Sequence, residues 1–186
     1  MPRVILFLAF SFTLVWVSRA SLADVRSHGF YRFFAWECIL GLCLINFVNL
    51  EQWFGNLFSV HQMVSWVLMF SSIVPVAYGT HSLRTHGKPD AGRSGDESLM
   101  WIEKTTRLVT TGVFGYIRHP LYSSLLLLAW GVFFKHPSWL GSGLALGATA
   151  FLLATAKVEE GENTRYFGSA YRDYMQHTRL FIPFVF

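Results

Sequence analysis

The feature that most constrains the fold is a set of five apolar stretches whose lengths approach or reach the thickness of a lipid bilayer. A helix needs about 20 residues to cross the hydrocarbon layer, and a shorter stretch can span with the help of its flanking residues. The chain is 53% hydrophobic and 14% charged, so it has too few charges to cover the surface of a soluble domain. The sequence therefore predicts an all-α fold, a polytopic membrane helical bundle with five spans, at about residues 4–20, 30–50, 57–79, 117–134 and 139–158.

Two polar pieces connect and follow these spans within a predicted single membrane domain of residues 1–186. Residues 80–116 form the predicted cytoplasmic loop. Residues 161–186 form a predicted interfacial segment with an amphipathic C-terminal helix. The aromatic face of that helix comprises Tyr166, Phe167, Tyr171 and Tyr174. Its basic face comprises Arg165, Arg172 and Arg179.

The distribution of basic residues predicts the orientation of the spans. Five spans place Arg3 and Lys135 on one side of the membrane and the other thirteen of the 15 basic residues on the opposite side. Because positively charged loops stay in the cytoplasm, we predict an amino terminus outside and a carboxyl terminus in the cytoplasm. The first stretch also has the pattern of a signal peptide, but that interpretation reverses the charge asymmetry and is rejected. The basic excess then requires no nucleic-acid partner.

Polar residues cluster at the predicted cytoplasmic ends of the last two spans. Arg118 and His119 precede Pro120, which suits the first turn of a helix, so they lie at a positive helix start that favours an anionic group. Glu159 and Glu160 end the fifth span, where carboxylates oppose the helix dipole and favour a cationic or hydroxyl-bearing partner. The short hairpin between the two spans makes them antiparallel neighbours, so both clusters are predicted to lie close together.

A stripe of small residues is predicted to pack the fifth span against the fourth. It comprises Gly143, Gly147, Ala150 and Ala154. On a regular helix Glu160 lies about 100° from this stripe and Glu159 about 160°, so Glu160 is predicted to reach a pocket beside the fourth span. Glu159 is instead predicted to pair with Arg165 or Lys157 at the surface.

Several motifs in roughly the last 80 residues resemble those of a known superfamily. They are Leu-Val-Thr-Thr-Gly at 108–112, Tyr-Ile-Arg-His-Pro-Leu-Tyr at 116–122, the acidic pair, Phe-Gly at 167–168, Tyr171, Tyr174 and Pro183. Together they resemble the carboxy-terminal signature of the isoprenylcysteine carboxyl methyltransferase and phospholipid N-methyltransferase superfamily. The resemblance implies an integral membrane enzyme that binds S-adenosylmethionine in a pocket capped by the cytoplasmic loops and tail, without a metal. The cofactor-binding residues expected from these motifs are His119, Tyr122, Glu159, Glu160, Arg118 and Gly112.

The implied reaction methylates a lipophilic or lipid-attached small acceptor within the membrane lipids and releases S-adenosylhomocysteine. Such an in-line displacement mainly requires that two reactants be aligned, so no catalytic acid or base is predicted. In isoprenylcysteine enzymes an arginine near the inner end of the last span is associated with the acceptor carboxylate, whereas Thr155 occupies the matching position here. The candidates for acceptor contacts are Thr155, the nearby Lys157, and Glu37, a carboxylate within the second span.

The sequence leaves two other functions open. Steroid and sterol reductases look similar in this carboxy-terminal half, which makes an NADPH-dependent membrane reductase the alternative enzyme. A non-enzymatic scaffold or transporter subunit is the other alternative, with polar clusters that only anchor the spans. The seven histidines lack the i and i+4 helical pair of a metal cluster, so no metal is predicted.

Overall fold

Helices make up most of the chain that the computed structural model describes, which comprises residues 2–88 and 104–183. Within these ranges lie seven α-helices, namely α1 (Pro2–Val17), α2 (Arg19–Ala23), α3 (His28–Val48), α4 (Val60–His86), α5 (Pro120–Phe133), α6 (Trp139–Phe167) and α7 (Ser169–His177). Single 3-10 turns occur at Leu50–Trp53 and Gly112–Gly115. No β-strand occurs among the described residues, although an isolated parallel bridge joins Ile117 and Arg179. The predicted all-α fold is therefore confirmed.

Three of these helices, α3, α4 and α6, are long and apolar enough to cross a membrane. Two more, α1 and α5, are apolar but shorter than the roughly 20 residues that a span needs. The outer surface is correspondingly apolar, with Phe12 and Trp16 of α1 and Phe70 of α4 all more than 60% exposed. Such a surface is unfavourable in water and suits lipid tails. The chain is an integral membrane protein, and the count of five spans stays a prediction.

The main apolar core lies where α3, α5 and α6 meet. Its buried members are Ile39, Leu42, Ala129, Val132, Phe133, Ala145 and Ala148. Alanine side chains on α5 and α6 let the helix backbones approach closely, which is the usual way that helices associate in a membrane. A second cluster, towards the ends of these helices, contains Ala35, Tyr122, Leu152, Ala156, Leu180 and Phe181. The first core holds the three helices together, and the second one attaches the C-terminal residues to them.

The small-residue stripe that packs α6 differs from the predicted one. Gly143 has no neighbouring atom within 4 Å of an added Cβ, and Gly147 faces Cys38 of α3 rather than α5. The buried small residues are instead Ala145 and Ala148. Ala145 is two positions from each glycine, about 200° around the helix. Because α6 carries small residues on more than one side, composition alone does not select the side that packs.

Small polar side chains join α4 to α5. The Ser65 hydroxyl donates to the carbonyl of Gly131 at 2.7 Å, and the Ser124 hydroxyl donates to the carbonyl of Ser72 at 2.7 Å. Gly79 allows Pro120 to approach, since a Cβ there would lie 3.1 Å from the proline ring. These contacts hold α5 against α4 from its beginning, at Pro120 and Ser124, to its last turn, at Gly131.

The helix ends differ from the predicted boundaries. The helix α4 continues to His86, so the first part of the segment 80–116 is helical. The helix α6 continues to Phe167 and ends where Gly168 adopts a positive φ of 65°, which favours glycine. The C-terminal amphipathic helix is therefore the short α7, with Tyr171 buried and Arg172 exposed, and Tyr166 and Phe167 belong to α6.

A buried lysine lies in the hairpin between α5 and α6, at the end of the bundle away from α7, and connects this hairpin to α4. The Lys135 side chain is 1% exposed, and its ammonium donates to the side-chain oxygen of Gln62 in α4 at 2.9 Å. The same ammonium lies 3.4 Å from the ring centroid of Trp66 and 5.5 Å from that of Trp53. Burial lowers the pKa of Lys135. The hydrogen bond and the aromatic faces compensate for the removal of this charge from water.

We predict that Lys135→Ala lowers the thermal stability of the protein in detergent. The change removes a hydrogen bond from a charged group and a desolvated cation–π contact, together worth on the order of 2–4 kcal/mol. The melting temperature should fall clearly, whereas alanine at the half-buried neighbour His136 should change it little. Equal melting temperatures for Lys135→Ala and the wild type would show that these contacts of the Lys135 ammonium contribute nothing to stability.

Candidate functional site

A cleft opens at the end of the bundle where α5 begins and α6 ends. The space inside it is about 80 Å³, which is below the roughly 300–1,000 Å³ typical of small-molecule sites. Its wall is built from the end of α4, the segment 105–114, the start of α5, the end of α6, and α7. The described lining residues that carry polar groups are Thr105, Arg118, His119, Tyr122, Glu159, Asn163, Tyr171 and Tyr174. The predicted proximity of the two polar clusters is thus present in the structure.

The His119 imidazole lies at the base of the cleft and is 4% exposed. It is the residue before Pro120, so its position is set by the start of α5. Its ring stacks on Tyr122, with centroids 5.4 Å apart and planes 13° apart, and meets the edge of the Phe181 ring at 6.3 Å. Two aromatic contacts therefore fix the plane of the imidazole before any ligand is present.

Two carboxylates flank this imidazole at distances longer than a hydrogen bond. Its Nδ1 lies 3.6 Å from Oε2 of Glu159, and its Nε2 lies 3.7 Å from Oε1 of Glu160. Within the described part of the chain, His119 Nε2 and Glu159 Oε2 are buried and make no hydrogen bond. Buried polar atoms normally have partners, so these two are available to a bound ligand.

The two glutamates differ from their predicted placement. Glu159, predicted at the surface, lines the cleft, whereas Glu160 accepts a hydrogen bond from Nε of Arg118 and lines a second groove. The helix rotates by about 100° between the two residues, so they cannot share one direction. Arg118 forms an ion pair with Glu160, so Glu159 is the glutamate whose carboxylate lines the cleft.

Arg118 connects α6 to the C-terminal part of the chain. Besides Glu160, its guanidinium donates from Nη1 to the carbonyl of Thr178 and to the carbonyl of Met175 at 3.2 Å. Arg118 lines the edge of the cleft, as expected for a residue of the cofactor motif, but these contacts tie up its Nε and Nη1. Its clearest role in the structure is to anchor the tail.

The tail residues 178–183, here called the strap, lie against the start of α5. The backbone N–H groups of Arg118 and His119 donate to the carbonyls of Arg179 at 2.8 Å and of Leu180 at 3.2 Å. The Ser123 hydroxyl donates to the carbonyl of Phe181 at 2.8 Å. The strap therefore satisfies backbone groups at a helix start and presses Phe181 against His119. No pattern in the sequence indicates this pairing, because its partners are far apart in the chain.

Aromatic side chains form much of the remaining wall. The hydroxyl of Tyr174 donates to the carbonyl of Phe114 at 2.7 Å, which closes α7 over the 3-10 turn. Burial raises the pKa of Tyr174 and, together with the charges of Glu159 and Glu160, that of Tyr171. Both phenols therefore remain neutral at physiological pH and offer their ring faces to a ligand.

Gly112 does not line the cleft among the described residues. It begins the 3-10 turn Gly112–Gly115 with a positive φ of 65°, and an added Cβ would lie 3.2 Å from the Ser82 hydroxyl. The turn carries Phe114 to the cleft wall. The contribution of Gly112 is thus to the shape of the loop, which its place in the motif did not indicate.

The three candidates for acceptor contacts lie apart from one another. Thr155 is fully buried, and its hydroxyl donates to the carbonyl of Phe151 at 2.7 Å. Lys157 is exposed and lines the second groove. Glu37 accepts a hydrogen bond from Ser11 of α1 at 2.9 Å, so it joins α1 to α3. The structure does not bring them together at the cleft.

A third acidic residue of α6 braces the same region from another side. His28 at the start of α3 is fully buried, and its Nδ1 lies 2.6 Å from Oε2 of Glu162. The His28 backbone N–H also donates to Oε1 of Glu162 at 3.1 Å. This pair was not predicted from the sequence, where the only signal is an acidic residue close to Glu159 and Glu160.

We predict that Arg118→Gln releases the strap. The loss of a hydrogen-bonded ion pair that is about one-tenth exposed should lower stability by on the order of 1.5–3 kcal/mol. It should also speed digestion of the tail by carboxypeptidase. Arg172→Gln, which changes an exposed arginine of α7, serves as the matched control. A tail that is digested equally slowly in both variants would contradict the anchoring role.

The comparison with known proteins agrees with this geometry. Residues 60–170 match the phospholipid methyltransferase family, a range that includes α4, α5, α6 and both His119 and Glu159 of the cleft. No curated protein and no solved structure matches the chain. The match covers more than half of the 186 residues. The chain therefore belongs to the phospholipid methyltransferase family and is a membrane methyltransferase of the superfamily that also includes the isoprenylcysteine carboxyl methyltransferases.

Proposed function

We propose that the protein transfers a methyl group from S-adenosylmethionine to a lipophilic or lipid-attached acceptor. The observation that carries the proposal is a pair of buried polar atoms, His119 Nε2 and Glu159 Oε2, which belong to residues that line the cleft and have no hydrogen-bond partner in the described residues. Family membership supplies the reaction class. The cleft supplies polar and aromatic groups whose chemistry suits the cofactor.

The residues of the cleft fit the groups that S-adenosylmethionine carries. Its cationic groups suit Glu159 and the ring faces of Tyr171 and Tyr174. Its carboxylate suits His119 and the positive start of α5. Asn163, which also lines the cleft, offers both a donor and an acceptor for the ribose or the adenine.

The protein's own contribution to catalysis is alignment and exclusion of water. S-Adenosylmethionine, when bound, supplies an electrophilic methyl group on a positively charged sulfur. His119 is held by stacking and by the strap, so the polar contacts at the base of the cleft are formed in advance. Fixing two reactants in a productive geometry can account for ~7–11 kcal/mol of a barrier. An acceptor that arrives ionised has no proton to lose, so it needs no general base.

The acceptor side of the cleft is apolar. Leu83 at the end of α4 and Leu121 at the start of α5 line the cleft where these helices meet the apolar part of the bundle. A lipid or lipid-like acceptor suits such a wall better than a small polar metabolite does. Thr155 is buried away from the cleft, so the position associated with a prenylcysteine carboxylate carries no cation here. We therefore favour an acceptor whose binding needs no cation at position 155. In other respects the proposed reaction is like that of the isoprenylcysteine carboxyl methyltransferases.

The orientation that we propose puts the cleft in the cytoplasm, where the cofactor is available. The basic residues near the cleft end of the bundle outnumber those at the Lys135 end, which supports a cytoplasmic carboxyl terminus.

Tags at the two termini test this orientation in right-side-out membrane vesicles. External protease should remove an amino-terminal tag and leave a carboxy-terminal tag intact until detergent is added. The opposite pattern of protection would reverse the proposed topology.

Calorimetric titration of the purified protein tests the cofactor assignment. We expect S-adenosylhomocysteine to bind and NADPH to give no heat beyond dilution. His119→Ala and Glu159→Gln should each weaken this binding by roughly 10- to 150-fold, the equivalent of ~1.5–3 kcal/mol for a hydrogen bond to a charged group. Glu51→Gln is the matched control, because it changes an exposed glutamate at the Lys135 end of the bundle and should leave this binding unchanged.

Three results would overturn the assignment. Binding of NADPH without S-adenosylhomocysteine would favour a reductase. Binding of neither would favour a scaffold or transporter subunit. Unchanged affinity in folded His119→Ala and Glu159→Gln proteins would remove the cleft as the cofactor site.

A further inference from the structure

A second groove runs between α6 and the C-terminal residues. It is lined by the apolar side chains of Leu153 and Leu180 and by the basic side chains of Lys157 and Arg179. Arg118 lines both this groove and the cleft, whereas Glu160 lines only the groove. The groove, here called the basic groove, is therefore a neighbour of the cleft with its own wall.

The charge of the basic groove is not balanced by the residues that the structure describes. Glu160 is paired with Arg118. Lys157 and Arg179 are exposed, and neither has an ion-pair partner among the residues that the structure describes. The groove thus presents two uncompensated positive charges beside an apolar surface, a combination that favours an anionic amphiphile over a free inorganic anion.

The position of the basic groove along α6 corresponds to a membrane boundary. The helix begins at Trp139, whose side chain is 95% exposed as is common in the aromatic belt of a membrane protein. Lys157 follows 18 residues later, about 27 Å along the axis, close to the roughly 30 Å thickness of the hydrocarbon layer. Leu153 lies one turn deeper. Lys157 is therefore at headgroup level and Leu153 at the level of the acyl chains.

We propose that the basic groove binds an anionic membrane phospholipid that is distinct from the methyl acceptor. Its phosphate contacts Lys157 and Arg179, and the first part of an acyl chain lies along Leu153 and Leu180. Arg179 belongs to the strap, and its backbone N–H donates to the carbonyl of Tyr116 at 3.0 Å. A lipid held there attaches the strap more firmly to α6 and so stabilises the base of the cleft.

Thermal unfolding of the purified full chain in neutral detergent tests this site. Phosphatidylglycerol, phosphatidylcholine and inorganic phosphate are titrated separately, and the affinity is taken from the dependence of the melting temperature on ligand concentration. We expect stabilisation by phosphatidylglycerol alone. Lys157→Gln and Arg179→Gln should each weaken it by about fivefold, and the double variant by on the order of 25-fold, as expected for the loss of one or two charges near an anionic headgroup. Arg172→Gln, an exposed arginine outside the basic groove, should leave it unchanged.

Each other result contradicts the proposal. Equal stabilisation by inorganic phosphate would indicate a site for a free anion, and equal stabilisation by phosphatidylcholine would indicate a solvent effect of lipid. An undiminished effect in the folded double variant, or an equal loss in Arg172→Gln, would place the lipid elsewhere. The affinity of the same proteins for S-adenosylhomocysteine separates this test from that of the proposed function, because the lipid effect does not require that cofactor.

Discussion

The geometry of the cleft depends on the Arg118 guanidinium. This one group donates to the carboxylate of Glu160 on α6 and to the carbonyls of Met175 and Thr178 in the C-terminal part of the chain. A mostly buried charge is tolerated only when it is paired, and removal of one partner leaves the other uncompensated. Because Arg118 immediately precedes His119, satisfying the guanidinium also places the imidazole beside Glu159. The ion pair and the cleft are thus one arrangement.

The end of α6 distributes three carboxylates among three neighbours. Glu159 faces His119, Glu160 is bound by Arg118, and Glu162 is bound by His28 of α3. Successive positions on a helix differ by about 100°, so closely spaced acids can serve separate partners. Of the three, Glu159 alone keeps a buried oxygen without a hydrogen bond in the described residues. Because α6 continues to Phe167, these acids do not lie in its last turn; two of them have structural partners, and Glu159 lines the cleft.

The sequence was sufficient to predict what depends on local properties of the chain. The length of the apolar stretches predicted α3, α4 and α6, and the short hairpin before α6 predicted that His119 and the acidic pair lie close together. The sequence could not predict which way individual side chains of a helix face, nor which residues far apart in the chain are in contact. The choice between Glu159 and Glu160 depends on the reach of Arg118. Arg118 and Thr178 lie 60 positions apart, and His28 and Glu162 lie 134 apart, so no local pattern records these contacts.

The contacts between α3 and α6 indicate how much of the chain belongs to one folding unit. The family match begins with α4, yet α3, which precedes it, covers the alanine face of α6 and binds Glu162 through His28. An excised version of the matched region alone would present Ala145 and Ala148 to lipid and leave a carboxylate without its imidazole. Helix α3 therefore supports the part of the chain that matches the family, and we expect the smallest unit that folds on its own to extend beyond residues 60–170.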